Sequence, residues 1–277
     1  MQIQITYKKL AAKGVRFVAL SLLLCANVSV AGIFNTKHNL GSTGLNAASN
    51  FSGTREICVF CHTPHGGDGE AAVPIWNRRV DPNGFQTYDQ LGTTTLDATV
   101  EPIGSVSIAC LSCHDGTQAM DSVLNEPGSG RRVPGFFNGS WSGQAASVGG
   151  RIGPTTVITN LSKDLTNDHP VGIQYSGGGY SLSNPAGPGK DPDFNGASSE
   201  IMGASRVWWV NTPGGTGAFE KSDMKLYTRA ATRGAYAGEP QPYVECASCH
   251  DPHVDYNPTF LRIDPSGSTV CLTCHNK

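Results

Sequence analysis

The stretch Cys246-Ala247-Ser248-Cys249-His250 places two cysteines three residues apart and follows them directly with a histidine. The same pattern, C-x-x-C-H, occurs three more times, at residues 58–62, 110–114 and 271–275. These four copies take up eight of the nine cysteines in the 277-residue chain. Whatever binds to these four motifs therefore determines the fold.

The C-x-x-C-H pattern is the attachment signature of c-type haem. Its two thiols reach the two vinyl groups at one edge of the porphyrin, and the histidine that follows becomes the proximal ligand of the iron. The sequence therefore predicts four covalently attached c haems. The predicted thioether cysteines are Cys58, Cys61, Cys110, Cys113, Cys246, Cys249, Cys271 and Cys274, and the predicted proximal ligands are His62, His114, His250 and His275.

Three other uses of paired cysteines explain the pattern less well. Zinc ribbons also contain C-x-x-C pairs, but a tetrahedral sulfur site needs no histidine after each pair. Disulfides suit an exported chain, and C-x-x-C pairs also occur in thiol oxidoreductases. Neither alternative accounts for four histidines in the same position.

Four histidines remain after the proximal ligands are assigned, which is one for each iron. They are His38, His65, His169 and His253, and we predict that they are the distal ligands of four bis-histidine haems. Each taken alone could instead be an ordinary surface histidine. Methionine is the other common sixth ligand, but the methionines after the amino-terminal segment have no motif context.

The positions of the remaining histidines suggest which irons they serve. His65 and His253 each stand three residues after a proximal histidine, with a proline between, so each should serve a haem other than that of its own motif. For His169, the neighbouring Asp168 or a backbone carbonyl could hold the second ring nitrogen. Chain order would pair His38, His65, His169 and His253 with the first, second, third and fourth haems.

The amino terminus reads as a cleaved secretory signal over residues 1–31. Four basic residues precede an apolar run at 17–26, and the segment ends in small residues. The run is too short to span a membrane, so the mature chain is predicted to be exported without a transmembrane segment. Lipid attachment at Cys25 is disfavoured because the bulky Leu24 precedes it.

Composition predicts a loop-rich chain that does not bind nucleic acid. The chain has 20 Lys+Arg against 22 Asp+Glu, so it has no basic surface for a polyanion. Its 34 glycines and 17 prolines argue against long regular elements. We expect a mostly irregular multihaem cytochrome c, with short helices at the attachment sites and a core built around four stacked haems. Short strands are predicted at residues 106–108, 155–158 and 206–210.

After the signal, residues 32–277 are expected to form a single tetrahaem unit. The first two haems fall in residues 32–125 and the last two in residues 241–277. The intervening residues 126–240 are rich in glycine and proline and carry one distal histidine. Haems are expected to pair within each group.

One stretch of this intervening segment matches the opening of a calcium loop. Asp191, Asp193 and Asn195 fit the pattern D-x-D-x-N-G, but the twelfth position is Met202 rather than glutamate. Without a bidentate carboxylate we interpret it as a turn, with Ca²⁺ binding as the weaker alternative.

The chain resembles the multihaem cytochromes of metal-reducing bacteria. The residues that carry the likeness are Cys58-Val59-Phe60-Cys61-His62-Thr63-Pro64-His65-Gly66, Asp168-His169-Pro170-Val171-Gly172 and the closing pair of motifs. It is most similar to the outer-surface tetrahaem cytochromes that stack into extracellular filaments. The resemblance implies alternating parallel and T-shaped haem pairs, a haem chain continuous across subunits, and a distal histidine donated by a neighbour, for which His38 is the candidate.

These observations together predict an electron carrier rather than an enzyme, with no catalytic residues. The leading hypothesis is a homopolymer at the cell surface that accepts electrons from other redox proteins and passes them to extracellular acceptors such as metal oxides. The first alternative is a monomeric shuttle in the periplasm or a conduit at the outer membrane. The second is a reductase with one open iron, although no altered haem motif marks such an iron.

Overall fold

The computed structural model describes residues 32–126, 139–186 and 188–277. The predicted signal at residues 1–31 lies outside the described residues. No helix within the described ranges is long and apolar enough to cross a membrane.

The α-helices of the described residues are short, and each contains both cysteines of one C-x-x-C-H motif. They are α1 (Ser107–His114), α2 (Cys246–Cys249) and α3 (Thr269–Cys274). The first motif lies on a 3₁₀ turn, Cys58–Phe60. A helical turn places two cysteines that are three residues apart on the same face, and each motif therefore adopts a helical turn. The prediction of short helices at the attachment sites is confirmed. Further 3₁₀ turns span Gly32–Asn35, Tyr88–Leu91, Gly143–Val148, Tyr175–Gly177, Pro258–Phe260 and Ser266–Ser268.

The strands form one antiparallel sheet in the order β1-β5-β4-β3-β2. They are β1 (Ile173–Gln174), β2 (Ser198–Met202), β3 (Ser205–Val210), β4 (Met224–Ala230) and β5 (Pro240–Val244). β5 leads directly into α2, and it pairs with β4 and β1. The sheet therefore positions the third motif.

Two of the three predicted strands are absent from the described residues. Residues 206–210 lie in β3 as predicted. Residues 106–108 instead lead into α1, since the motif that follows them needs a helical turn and this overrides their β propensity. Residues 155–158 form turns, and the Ile158 side chain is 91% exposed, so it has no partner strand or core to bury it.

The apolar core is divided into three clusters, each next to haem-binding motifs. The sheet cluster includes Tyr175, Trp208 and Leu226 and packs against Cys249 and Cys274. A second cluster is built on Ile108 and Leu111 of α1 and also contacts Cys61, and a third consists of Phe51, Val59 and Phe60. This division fits the expectation of a loop-rich chain without one large core.

Candidate haem-attachment sites

Three of the four motif histidines have the same hydrogen-bond arrangement. In each, Nδ1 lies within hydrogen-bond distance of a backbone carbonyl, which fixes Nδ1–H as the donor and leaves the Nε2 lone pair free. The acceptors are Pro74 O for His62 (2.9 Å), Thr159 O for His114 (2.8 Å) and Thr259 O for His250 (2.8 Å). This is the tautomer and orientation that a haem iron requires of its proximal ligand.

The fourth motif histidine, His275, is positioned by a ring instead. Its imidazole lies 4.4 Å from the Phe194 ring, centroid to centroid, and the backbones of the two residues form an isolated antiparallel bridge. Because Phe194 belongs to the segment before β2, this contact attaches the last motif to the sheet.

Two pairs of histidines lie at the separation expected of ligands on one iron. Two imidazoles that each place Nε2 about 2 Å from a metal have ring centroids roughly 6 Å apart. The centroids of His62 and His253 are 6.2 Å apart, and those of His38 and His114 are also 6.2 Å apart. Each pair joins a motif histidine to one of the predicted distal ligands.

Each distal candidate in these pairs is held through its Nδ1 atom. Nδ1 of His38 lies 3.5 Å from Pro252 O, and Nδ1 of His253 lies 3.3 Å from Asp251 Oδ1. Burial, with the neighbouring His114, lowers the pKa of His38 to about 4, so its imidazole is neutral and able to bind iron. The hydrogen bond with Asp251 raises the pKa of His253.

His169 is close to the fourth motif. Burial lowers the pKa of His169, and the charge of His275 lowers it further. Nδ1 of His169 lies 3.1 Å from Pro170 O. Of the two acceptors that the sequence left open, the structure therefore uses a backbone carbonyl rather than Asp168.

The pairing by chain order is wrong for at least two of the histidines. His253, not His38, lies opposite His62, and His38, not His65, lies opposite His114. His169 neighbours the fourth motif rather than the third. Chain order fails because the loop after the third motif folds back onto the first two, as the contact of His38 with Pro252 shows. His38 lies opposite His114 within its own chain, and its role as a ligand donated to a neighbour stays a prediction.

His65 and His250 are left over from these pairs. The exposed His65 imidazole makes no hydrogen bond, ion pair or ring contact with the described residues. Nδ1 of His250 donates to Thr259 O, and the charge of His250 helps to lower the pKa of His114, but its ring makes no stacked or edge contact with another histidine in the described part of the chain.

Burial disfavours the thiolate form at several motif cysteines, whereas a hydrogen bond with Cys110 lowers the pKa of Cys246. Burial raises the pKa of Cys61 to about 12, that of Cys249 to about 11 and that of Cys274 to about 12. Zinc binds thiolates, whereas a thioether sulfur carries no charge, so the surroundings of Cys61, Cys249 and Cys274 suit covalent haem attachment.

The second and third motifs meet at a buried carboxylate. Glu245, directly before α2, accepts hydrogen bonds from the Ser107 hydroxyl of α1 (2.5 Å) and from Nη1 of Arg229 (3.1 Å). The Ser107 hydroxyl oxygen also accepts from Cys246 N (2.9 Å). Burial raises the pKa of Glu245, and its hydrogen bonds oppose that shift. Because Cys110 lies one turn after Ser107, attachment sites from opposite halves of the chain come together here.

Arg78 connects the first and second motifs, and sequence reasoning missed it. Its side chain is fully buried, and it donates to Ser112 O (2.9 Å), Ser112 Oγ (3.3 Å), Ala119 O (3.0 Å) and Met120 O (2.8 Å). Its charge also lies close enough to Cys61 to oppose the rise in that thiol's pKa. Nothing in the local sequence distinguishes Arg78 from a surface arginine.

The segment that resembles a calcium loop packs against α3. The Asn195 amide donates to Leu272 O (3.1 Å) and Thr273 O (3.0 Å), and Asp193 pairs with Lys277. Asp191 accepts from Asp193 N within the turn. These residues thus hold the fourth motif. In the described ranges, no three His, Cys, Asp or Glu side chains lie together as a group that could hold a metal ion.

Residues 241–277 match the family model described as a doubled CXXCH motif. The doubled motif is that of a multihaem c-type cytochrome. It covers the third and fourth attachment sequences, and it supports covalent haem c as the cofactor and electron transfer as the role of the chain. No curated protein gives a significant match to the chain.

Proposed function

We propose that the protein is a tetrahaem c-type cytochrome that carries electrons over long distances outside the cell as a homopolymeric filament. The proposal of four haems is supported by four complete motifs and by the shared carbonyl hydrogen bond of His62, His114 and His250. The export and surface location rest on the amino-terminal sequence.

Bound haem would supply an iron that changes oxidation state by one electron. The imidazole pairs His62–His253 and His38–His114 would each hold such an iron between them. Carbonyl acceptors orient the imidazoles and raise their basicity, which favours the ferric state. With both faces of an iron filled, substrate has no open position, so the residues favour an electron carrier over a reductase.

The single observation that carries the filament is the leftover pair, His65 and His250. No imidazole of the described residues lies opposite His250 at the spacing of the two pairs, and the exposed His65 imidazole has no partner among the described residues. We propose that His65 of one copy binds the iron held by His250 of the next copy. Each subunit would then complete its neighbour, and the haem chain would run through the polymer.

The experiment compares the natively purified protein with His65→Ala and His65→Met. The wild type should form filaments with four haems per chain by intact mass and only low-spin iron. His65→Ala should give short or single particles with about one high-spin iron in four, while His65→Met offers a substitute ligand and should restore low-spin iron. Discrete wild-type particles that already contain four six-coordinate irons would refute the filament and favour a shuttle or conduit. A high-spin iron in wild-type filaments that binds CO would favour the reductase.

A further inference from the structure

The two imidazole pairs have the same spacing but different mutual orientations. Both have ring centroids 6.2 Å apart, yet the planes of His62 and His253 differ by 18° whereas those of His38 and His114 differ by 68°. The first pair is nearly parallel and the second is steeply crossed.

An aromatic ring sets the plane of His38. The Phe260 ring lies flat against the His38 imidazole, with centroids 4.4 Å apart and planes 8° apart. A flat contact of this kind opposes rotation of the imidazole about its Cβ–Cγ bond, because rotation would drive the ring edge into the face of Phe260. No other ring contact of His38 within the described residues is as close.

Phe260 is itself held in a constrained segment that belongs to the third motif. Thr259 and Phe260 both have left-handed backbone conformations, with φ of 54° and 61°, which are rare for such side chains. Hydrogen bonds fix the segment: Asp251 N donates to Phe260 O (2.9 Å) and Arg262 N donates to Cys249 O (2.9 Å). Backbone strain of this kind persists where surrounding contacts enforce it, and such places are often functional.

Thr259 and Phe260 therefore contact histidines that belong to two different haem sites of the proposed function. The carbonyl of Thr259 accepts from Nδ1 of His250, and the ring of Phe260 stacks on His38 opposite His114. A simple loop could supply the carbonyl without the strain. The left-handed pair is what turns the aromatic ring toward His38 while the carbonyl faces His250.

We propose that Phe260 is a positioning residue that holds the His38 imidazole steeply crossed to that of His114 and so gives the second haem an electronic structure distinct from that of the first. The inference rests on the proposed function, since it requires bis-histidine iron at both sites. Two parallel imidazoles both overlap the same one of two iron d orbitals, so the energies of these two orbitals become different. Crossed imidazoles overlap different d orbitals and leave the two nearly equal in energy.

This difference has a spectroscopic and an electrochemical consequence. Ferric iron between parallel imidazoles gives a rhombic electron paramagnetic resonance spectrum, whereas crossed imidazoles give a highly anisotropic spectrum with one very large g value. A larger splitting of the two orbitals also stabilises the ferric state, and the splitting should be larger between the parallel imidazoles of His62 and His253. The haem of His38 and His114 should therefore have the higher reduction potential of the two when other surroundings are equal.

The test is electron paramagnetic resonance of the fully oxidised haem-loaded protein and three variants. The wild type should show a highly anisotropic low-spin signal together with a rhombic one. His38→Met should abolish the anisotropic signal, which assigns it to the second haem. Phe260→Leu should move that signal toward a rhombic form with a smaller maximum g value, and Phe260→Tyr, which keeps a flat ring, should leave it unchanged. The rhombic signal from the haem of His62 is the internal control.

The result separates this inference from the proposed function. A wild-type spectrum with only rhombic low-spin signals would overturn the inference without any variant, while leaving bis-histidine haem in place. An anisotropic signal that survives Phe260→Leu would also overturn it. Absence of low-spin ferric iron from the wild type would instead refute the proposed bis-histidine sites themselves.

Discussion

Replacing Arg78 by lysine should destabilise the protein far more than the conservative nature of the change suggests. The guanidinium is fully buried and makes four hydrogen bonds, three to backbone carbonyls and one to the Ser112 hydroxyl. Its planar fork reaches acceptors in several directions at once, which one ammonium group on a flexible stem cannot do. Its position near the carboxyl end of α1 adds a favourable interaction with the helix dipole.

The expected loss follows from the number of bonds that lysine cannot replace. A net contribution of about 1.5–3 kcal/mol is typical for a hydrogen bond to a charged group. If the ammonium keeps two of the four bonds, the other two account for a loss of about 3–6 kcal/mol in the free energy of unfolding. The buried positive charge remains in the lysine variant, so the reduction potentials of the haems should stay close to those of the wild type although the free energy of unfolding falls.

The assay is guanidinium chloride unfolding of the haem-loaded protein, followed by far-ultraviolet circular dichroism. Arg233→Lys is the matched control, because the Arg233 side chain is 57% exposed and a single nitrogen, Nη2, makes its contacts with Asp89 and Val100 O, which one ammonium group can keep, so its loss should stay below about 1 kcal/mol. If Arg78→Lys costs no more than Arg233→Lys, Arg78 does not hold the first two motifs together as described.

Three further changes test other parts of the molecule in the same unfolding assay. Glu245→Ala should cost about 2–4 kcal/mol, because it leaves the largely buried Arg229 without its carboxylate. Asp81→Ala, which removes an ion pair with Lys163 and two hydrogen bonds from Asn83 at the surface, should have a much smaller effect and serves as its control. Trp208→Ala should cost about 3–5 kcal/mol, because the ring is 0% exposed in the sheet cluster. Asn195→Ala should lower the free energy of unfolding by about 1–2 kcal/mol, because its hydrogen bonds with α3 are lost. Calorimetric titration of the wild type with Ca²⁺ should show no binding. Heat of binding would contradict the assignment of this turn as a packing element.

The sequence predicts features that depend on neighbouring residues. Each C-x-x-C-H motif determines its own helical turn, because the spacing of the two cysteines requires one. The β-branched residues of β3 indicate a strand for a similar local reason. In contrast, β5 contains Pro240 and Pro242, which argue against a strand, and only its pairing with β4 and β1 makes it one.

Features that depend on distant contacts are not visible in the sequence. His253 lies opposite His62 although 190 residues separate them, and chain order carries no information about such a contact. Arg78 reads as a surface residue until its four acceptors are seen together. Ring orientation is a further case, because the stacking of Phe260 on His38 depends on two unusual backbone conformations.

The most direct test of a tetrahaem wire is high-resolution electron microscopy of the natively secreted protein in buffer without disruptive detergent. A filament should appear in which each subunit holds four irons between paired histidines, with His65 of one subunit bound to the iron of His250 in the next. Discrete particles, or a filament in which both ligands of that iron come from one chain, would contradict a haem chain completed by the neighbouring copy.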